Sequence, residues 1–205
     1  MPGSPQKSCR TSVAIAPEAV TTAPRASKRL FLRSLPGLAG LAFVAPIARA
    51  KTPGEVPVGG LLRDTTMTGL TVPFRKLSDF RGKPLIINVW ASWCGPCRVE
   101  MGSLERLSRR KGAQAFTVIG ISTDDYPEAA LGFVQKTGTT FSHFIDQKLV
   151  LENMLGADRL PLTVLIDAQG RVVDKIYGAR EWDSPESVRR VSKALGVPLA
   201  HIYCD

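Results

Sequence analysis

The apolar positions along this chain change their period several times, and each change marks a predicted element. Leu85–Trp90 is a short apolar run with β-branched residues, bounded by Gly82 and Pro84, the pattern of a buried strand. Residues 95–110 follow with helical spacing: Met101, Leu104 and Leu107 fall on one face. Arg106, Arg109, Arg110 and Lys111 lie towards the end of that helix, where cations suit its dipole. Residues 116–122 return to a strand pattern, and strand–helix–strand implies a parallel pair with a right-handed crossover. Pro127–Thr137 reads as a helix with proline at its start and Asp124 and Asp125 as capping candidates. A strand at 141–145 and a helix at 147–155, closed by Gly156, come next. Strands at 162–167 and 171–178 flank a tight Ala168-Gln169-Gly170 turn and predict an antiparallel hairpin. The last helix spans 184–195, capped by Asp183 or Ser184. Upstream, 61–64 and 70–74 read as strands around Thr66–Gly69. There is no internal repeat.

Length bounds this pattern: 205 residues, 44% hydrophobic, allow one domain plus an appendage. The formal net charge is +9, yet residues 1–50 hold seven Lys/Arg and one acid, Glu18, and so carry six of those nine charges. The remainder shows no compact basic stripe with interleaved aromatics, which sets nucleic-acid binding aside. Residues 1–26 are rich in Ser, Thr, Ala and Pro without an apolar period and read as disordered. The basic string Ser27-Lys28-Arg29-Leu30-Phe31-Leu32-Arg33 then leads into an apolar core, 35–48, that ends at Ala48-Arg49-Ala50. That is the layout of a secretory signal with an A-x-A-like cleavage site. Lys28-Arg29 in this setting resembles a twin-arginine signal with Lys in the first place. Pro36 and Pro46 break the short apolar core, which argues against a permanent anchor. The expected division is therefore a leader and export signal over 1–50, a linker over 51–59, a folded domain over 60–196 and a tail over 197–205, with the mature chain in the periplasm.

The candidate chemistry lies at the end of the first long strand, in Cys94-Gly95-Pro96-Cys97. Two residues between cysteines in a strand-to-helix turn bring the thiols within disulfide reach. The helix N-terminus stabilises a thiolate at Cys94, and Pro96 fits the first turn. A zinc site needs four ligands, and the other candidates are only Cys9, Cys204, His143 and His201. A static disulfide would close a loop too short to gain much from closure. After export the mature chain carries Cys94, Cys97 and Cys204, and Cys204 reads as incidental. A peroxiredoxin would want a threonine where Ala91 stands. The alternatives are a copper-delivery protein, which would want a CxxxC and a nearby His where this chain has CxxC and His143, and a binding module that merely carries a disulfide.

The string Trp93-Cys94-Gly95-Pro96-Cys97 resembles the thioredoxin superfamily, and its surroundings are similar to the exported TlpA/ResA-type (DsbE- or CcmG-like) thiol-disulfide oxidoreductases. Leu77-Ser78-Asp79-Phe80-Arg81-Gly82-Lys83-Pro84 resembles the family's lead-in to the strand. Asn88 stands where thioredoxin carries a buried aspartate, and Glu100 where these relatives carry an active-site glutamate. Leu160-Pro161-Leu162-Thr163 resembles the loop that holds the superfamily's cis-proline. Gly102 departs from the pattern: relatives have a helix-kinking proline there. The resemblance covers about residues 60–196.

The resemblance implies an α/β thioredoxin-like fold: a central mixed sheet flanked by helices, with an N-terminal β-hairpin extension and a βα insertion. It implies Cys94, Cys97, Glu100 and Pro161 as catalytic residues, and Trp93, Gly95, Pro96 and Leu160 as substrate contacts. No cofactor or metal is needed, because the thiols carry the electrons. Cys94 attacks a partner disulfide, and Cys97, one turn behind it, resolves the mixed disulfide. Glu100 relays a proton if it is buried and is a solvated helix residue if it is not; both readings stand at this point. Trp90 is expected in the core and Trp93 at the surface. Gly-Pro between the cysteines matches thioredoxin, whose potential near about −270 mV points to a reductant. The implied partners are disulfide-bearing periplasmic proteins, apocytochrome c among them, and a membrane thiol electron donor of the DsbD/CcdA type.

Overall fold

A computed structural model describes residues 52–199. The expected leader, export signal and cleavage site, and Cys204, lie outside the described residues.

The central strand of the sheet is the one the apolar run predicts. Leu85–Trp90 (β3) is buried at all six positions, so apart from Asn88 it reads as apolar sequence rather than as alternation. Thr66–Gly69 (β1), Arg75–Lys76 (β2), Thr117–Ser122 (β4), Ser142–Ile145 (β5), Leu162–Ile166 (β6) and Val172–Tyr177 (β7) complete the sheet. The order is β2-β1-β5-β4-β3-β6-β7. β3 pairs parallel with β4 and antiparallel with β6, and β4 pairs parallel with β5. The sheet is therefore mixed and flanked by helices, the thioredoxin-like arrangement.

Four helices cover it: Gly95–Ser108 (α1), Pro127–Thr137 (α2), Val150–Leu155 (α3) and Pro185–Leu195 (α4). The alternation along β3 decides which face each one covers. Ile86 packs with Leu104 and Leu107 of α1 and with Val188 and Val191 of α4. Trp90 packs with Cys97 and Met101 of α1 and with Ala130 and Phe133 of α2. Leu85, Ile87 and Val89 point the other way, to Leu151, Met154 and Leu155 of α3. Burying one Leu or Ile in such a core contributes about 1.5–3 kcal/mol.

Several expectations are corrected. The N-terminal hairpin exists, but its strands are β1 and β2, antiparallel with Met67 opposite Arg75, not 61–64 and 70–74. Pro73 has no N–H for a ladder, so 70–74 forms the loop and its flanks form the strands. Gly69 opens that loop: a Cβ there would lie 1.8 Å from the Val72 carbonyl oxygen. Leu61 instead makes an isolated bridge to Arg171.

Neither Asp124 nor Asp125 caps α2; the N-cap is Tyr126, with no side-chain cap bond. α3 begins at Val150 rather than 147, because the Asp146 carboxylate accepts from the backbone N–H groups of Val150, Leu151 and Glu152. Ser184, by contrast, caps α4 as expected, accepting from the Ser187 N–H at 3.2 Å. The segment read as a linker packs on the domain: the Val56 N–H donates to the Met154 carbonyl, and Glu55 pairs with Lys175 at 2.5 Å. At the other end Val197 and Leu199 are buried with α4.

Candidate active site

Cys94 ends the β3–α1 turn and is the N-cap of α1, and Cys97 sits three residues on in its first turn. Their sulfurs are joined in a disulfide with the Cα atoms 5.3 Å apart. The Cys97 N–H donates to Cys94 Sγ at 3.2 Å. That donor and the helix N-terminus are what would hold a thiolate at Cys94 once the bond is reduced. Cys94 retains 5% of its surface and Cys97 none, so the N-terminal sulfur is the one with access. Gly95 and Pro96 are exposed beside it, and Trp93 projects with 73% exposure. Trp90, by contrast, is fully buried.

The cis-proline expected from the resemblance is present: Leu160–Pro161 is a cis bond. Leu160 packs against the cluster that contains Cys94 and Cys97. The Pro161 carbonyl accepts from the Gly178 N–H, tying this loop to the end of β7.

Glu100 resolves to its buried reading at 1% exposure, although Val99 beside it is 74% exposed. The helical stripe explains the contrast. Cys97, Glu100, Met101, Leu104 and Leu107 are spaced i, i+3, i+4, i+7 and i+10 along one face. Three donors converge on the Glu100 carboxylate. Asn88 Nδ2 reaches Oε1 at 2.7 Å, while Oε2 accepts from Trp182 Nε1 at 3.0 Å and from the Arg180 N–H at 3.1 Å. Burial pushes the Glu100 pKa above the usual carboxylate range, and the three hydrogen bonds act against that rise. Asn88, on β3, also donates to Thr163 Oγ1 on β6 at 3.0 Å, so sheet and helix are joined through this group. α1 runs unbroken through Gly102.

Sequence reasoning missed four contributors. Asp124 holds the turn before Cys94: its carboxylate accepts from the Ser92 N–H at 2.9 Å and the Ser92 hydroxyl at 2.6 Å, and from Ser122 Oγ at 2.7 Å. Its position directly after a strand, at the same end of the sheet as the motif, was the available signal. Trp182 and Arg180 belong to the β7–α4 connection and meet Glu100 only through the fold. Ser103 clamps that connection to α1, donating to the Arg180 carbonyl and accepting from the Trp182 N–H. His143, the candidate copper ligand, is fully buried on β5 beside Trp90, with Nε2 2.9 Å from Thr139 Oγ1. Among the described residues no cluster of three His, Cys, Asp or Glu is arranged to hold a metal.

A redox-capable cysteine pair at a helix N-terminus, with a buried carboxyl one turn behind it, is suited to thiol-disulfide exchange. Comparison with known proteins points the same way. The redoxin family profile matches residues 64–195. The chain is similar to thiol-disulfide oxidoreductase ResA of Geobacillus kaustophilus, 32% identical over 60% of this chain and 71% of that protein. It is also similar to thiol:disulfide interchange protein HelX of Rhodobacter capsulatus, 31% identical over 54% of this chain and 61% of that one. Among solved structures, a Chlorobium tepidum protein described as a thiol:disulfide interchange protein DsbE superimposes with a TM-score of 0.64 at 27% identity, covering 69% of this chain and all of that one. A secreted Mycobacterium tuberculosis disulfide oxidoreductase gives 0.56 at 26% identity, over 63% of this chain and 95% of that one.

Proposed function

The chain belongs to the redoxin family, as a TlpA/ResA/CcmG-like thiol-disulfide oxidoreductase, and from that premise we propose that it is an exported reductase of disulfides in other proteins. The observation that carries the reading is the Cys94–Cys97 pair at the start of α1, with Glu100 buried one turn behind it.

In the reduced protein the Cys94 thiolate attacks one sulfur of a substrate disulfide. A mixed disulfide forms, and the other substrate sulfur leaves as a thiolate. Cys97 then loses its proton and attacks Cys94 Sγ. The second substrate thiol leaves, and the Cys94–Cys97 disulfide closes. Two electrons pass from the dithiol to the substrate. Glu100, three residues after Cys97 on the same buried face of α1, is the group that accepts the Cys97 proton in this reading, and its raised pKa suits it to hold one. Trp93, Gly95 and Pro96 on one side and Leu160 and Pro161 on the other supply the surface against which the substrate chain rests. Residues 27–50 direct export to the periplasm. There the dithiol needs a membrane thiol donor to stay reduced, and cytochrome c maturation is a process that consumes such reductant.

Incubated with insulin and a thiol source, the protein is expected to catalyse disulfide reduction. Cys97→Ser is expected to accumulate mixed disulfides through Cys94, and Cys94→Ser few. Equal trapping by the two variants removes the division of labour, and absence of turnover by the wild type removes the reading.

A further inference from the structure

Beside the cysteine pair, α1 and α2 leave between them a groove of about 430 Å³. Ser92, two residues before Cys94, lines it, so the groove adjoins the redox site. Along α2 its wall is the row Glu128, Gly132 and Lys136, spaced four residues apart and therefore on one stripe, and Arg98 of α1 faces that row. Among the described residues Arg98, Glu128 and Lys136 make no ion pair with a protein group.

Gly132 is the second observation. A glycine inside a helix weakens it, and one with a packing reason is crowded by a neighbour. Here no atom lies within 4 Å of where its Cβ would be, so the neighbouring structure would accept a larger residue. What Gly132 does is keep the groove floor low, where another backbone can approach. The inward face of α2 is occupied separately, with Phe133 stacked on Trp90 at 4.6 Å. Trp93, beside Ser92, and Tyr126, two residues before Glu128, stand 73% and 72% exposed.

We propose that this groove binds the extended segment flanking the attacked cysteine of a disulfide substrate, and that it selects an acidic residue in that segment. The inference rests on the oxidoreductase reading above and names the class of its substrate. Two cations without an ion-pair partner among the described residues face one carboxylate, so the groove favours an anionic occupant. The eight steps from Glu128 to Lys136 span about 12 Å of helix, the reach of three to four extended residues. Glu128 disfavours an acid at the near end. The selected carboxylate therefore sits about four positions from the attacked cysteine, where Lys136 meets it.

The test uses peptides whose single cysteine is capped with 2-mercaptoethanol as a mixed disulfide and whose fourth residue away, on either side, is Asp or Lys. Oxidation of the pre-reduced protein is followed at low ionic strength in a single turnover, and each rate is divided by that variant's own rate with 2-hydroxyethyl disulfide. The wild type is expected to prefer the Asp peptide by about threefold to fivefold, the size of one exposed ion pair. Lys136→Glu is expected to invert the preference, and added salt to flatten it in both proteins. Gly132→Phe, which strengthens the helix while filling the floor, is expected to slow both peptides. If Lys136→Glu leaves the preference as it was, or Gly132→Phe leaves both normalised rates unchanged, the groove does not bind substrate. A wild type that reacts with no disulfide at all, including 2-hydroxyethyl disulfide, overturns the oxidoreductase reading itself and this inference with it.

Discussion

Glu100 and His143 are both ionisable and both buried within the layer behind the disulfide, and the protein treats them in opposite ways. Each is almost wholly out of water, at 1% and 0% exposure. Around Glu100 three donors converge, so the carboxylate is supported even as burial raises its pKa. His143 is enclosed by Trp90 and Phe141, its Nδ1 has no partner, and burial pushes its pKa down to about 4, leaving it neutral. Burial alone therefore does not set the chemistry of a buried group. The donors that reach it do: they support a charge on Glu100, the proposed proton acceptor, while none reaches His143 Nδ1.

The strongest way to break this comparison is to empty the acceptor. Glu100→Leu leaves the Arg180 N–H and Trp182 Nε1 without partners and Asn88 Nδ2 with Thr163 Oγ1 alone, and a loss on the order of 4 kcal/mol is expected in denaturant unfolding. A loss below about 1 kcal/mol would mean that the three donors find water.

The His143 side is tested through pH. Its folded pKa lies below the unfolded value of about 6.5, so the unfolded chain binds the proton more readily. Stability from this group is whole above pH 6.5 and drains away as the pH falls towards 4, by roughly 3 kcal/mol in total. In His143→Asn that part of the pH dependence should vanish, as read from unfolding curves between pH 7 and 4.

The smallest effect sharpens the Glu100 side. Trp182→Phe keeps most of the apolar volume and removes one donor, at a cost of about 1–2 kcal/mol. With less support for its charge, the Glu100 pKa should rise further. Because that folded pKa already exceeds the unfolded one, the group's contribution is full at acid pH and falls as the pH climbs through the folded value. In Trp182→Phe the fall should extend to higher pH, and the pH profile of thiol-disulfide exchange should shift the same way. A purely structural Trp182 would lower stability without moving that profile.

Much of this site can be read in the chain without its fold. Cys94 and Cys97 announce themselves by spacing, Leu85–Trp90 by an apolar run that only Asn88 interrupts, and the cis-proline by resemblance to a known loop. Glu100 is the intermediate case. Its residue type suggests solvent, while its place in the stripe of Cys97, Met101 and Leu104 suggests burial, and nothing local decides between them. Asp124 shows a failure of the opposite kind: an acid before a helix is ordinarily a cap, yet here the Ser92 turn lies close enough to claim it.

The sequence by itself determined the redox pair, the strand that carries it and the order of the elements, because these depend on residue spacing and local periodicity. Only the tertiary structure decided which carboxylate would be usable. Trp182 and Arg180 lie some 80 residues beyond Glu100. They reach it because β7 returns along the sheet edge and its connection to α4 folds over α1. The N-terminal hairpin was decided in the same way. Hydrophobicity favoured 70–74, but a strand needs a backbone donor that Pro73 lacks, and β1 finds its partner in β5, more than seventy residues away.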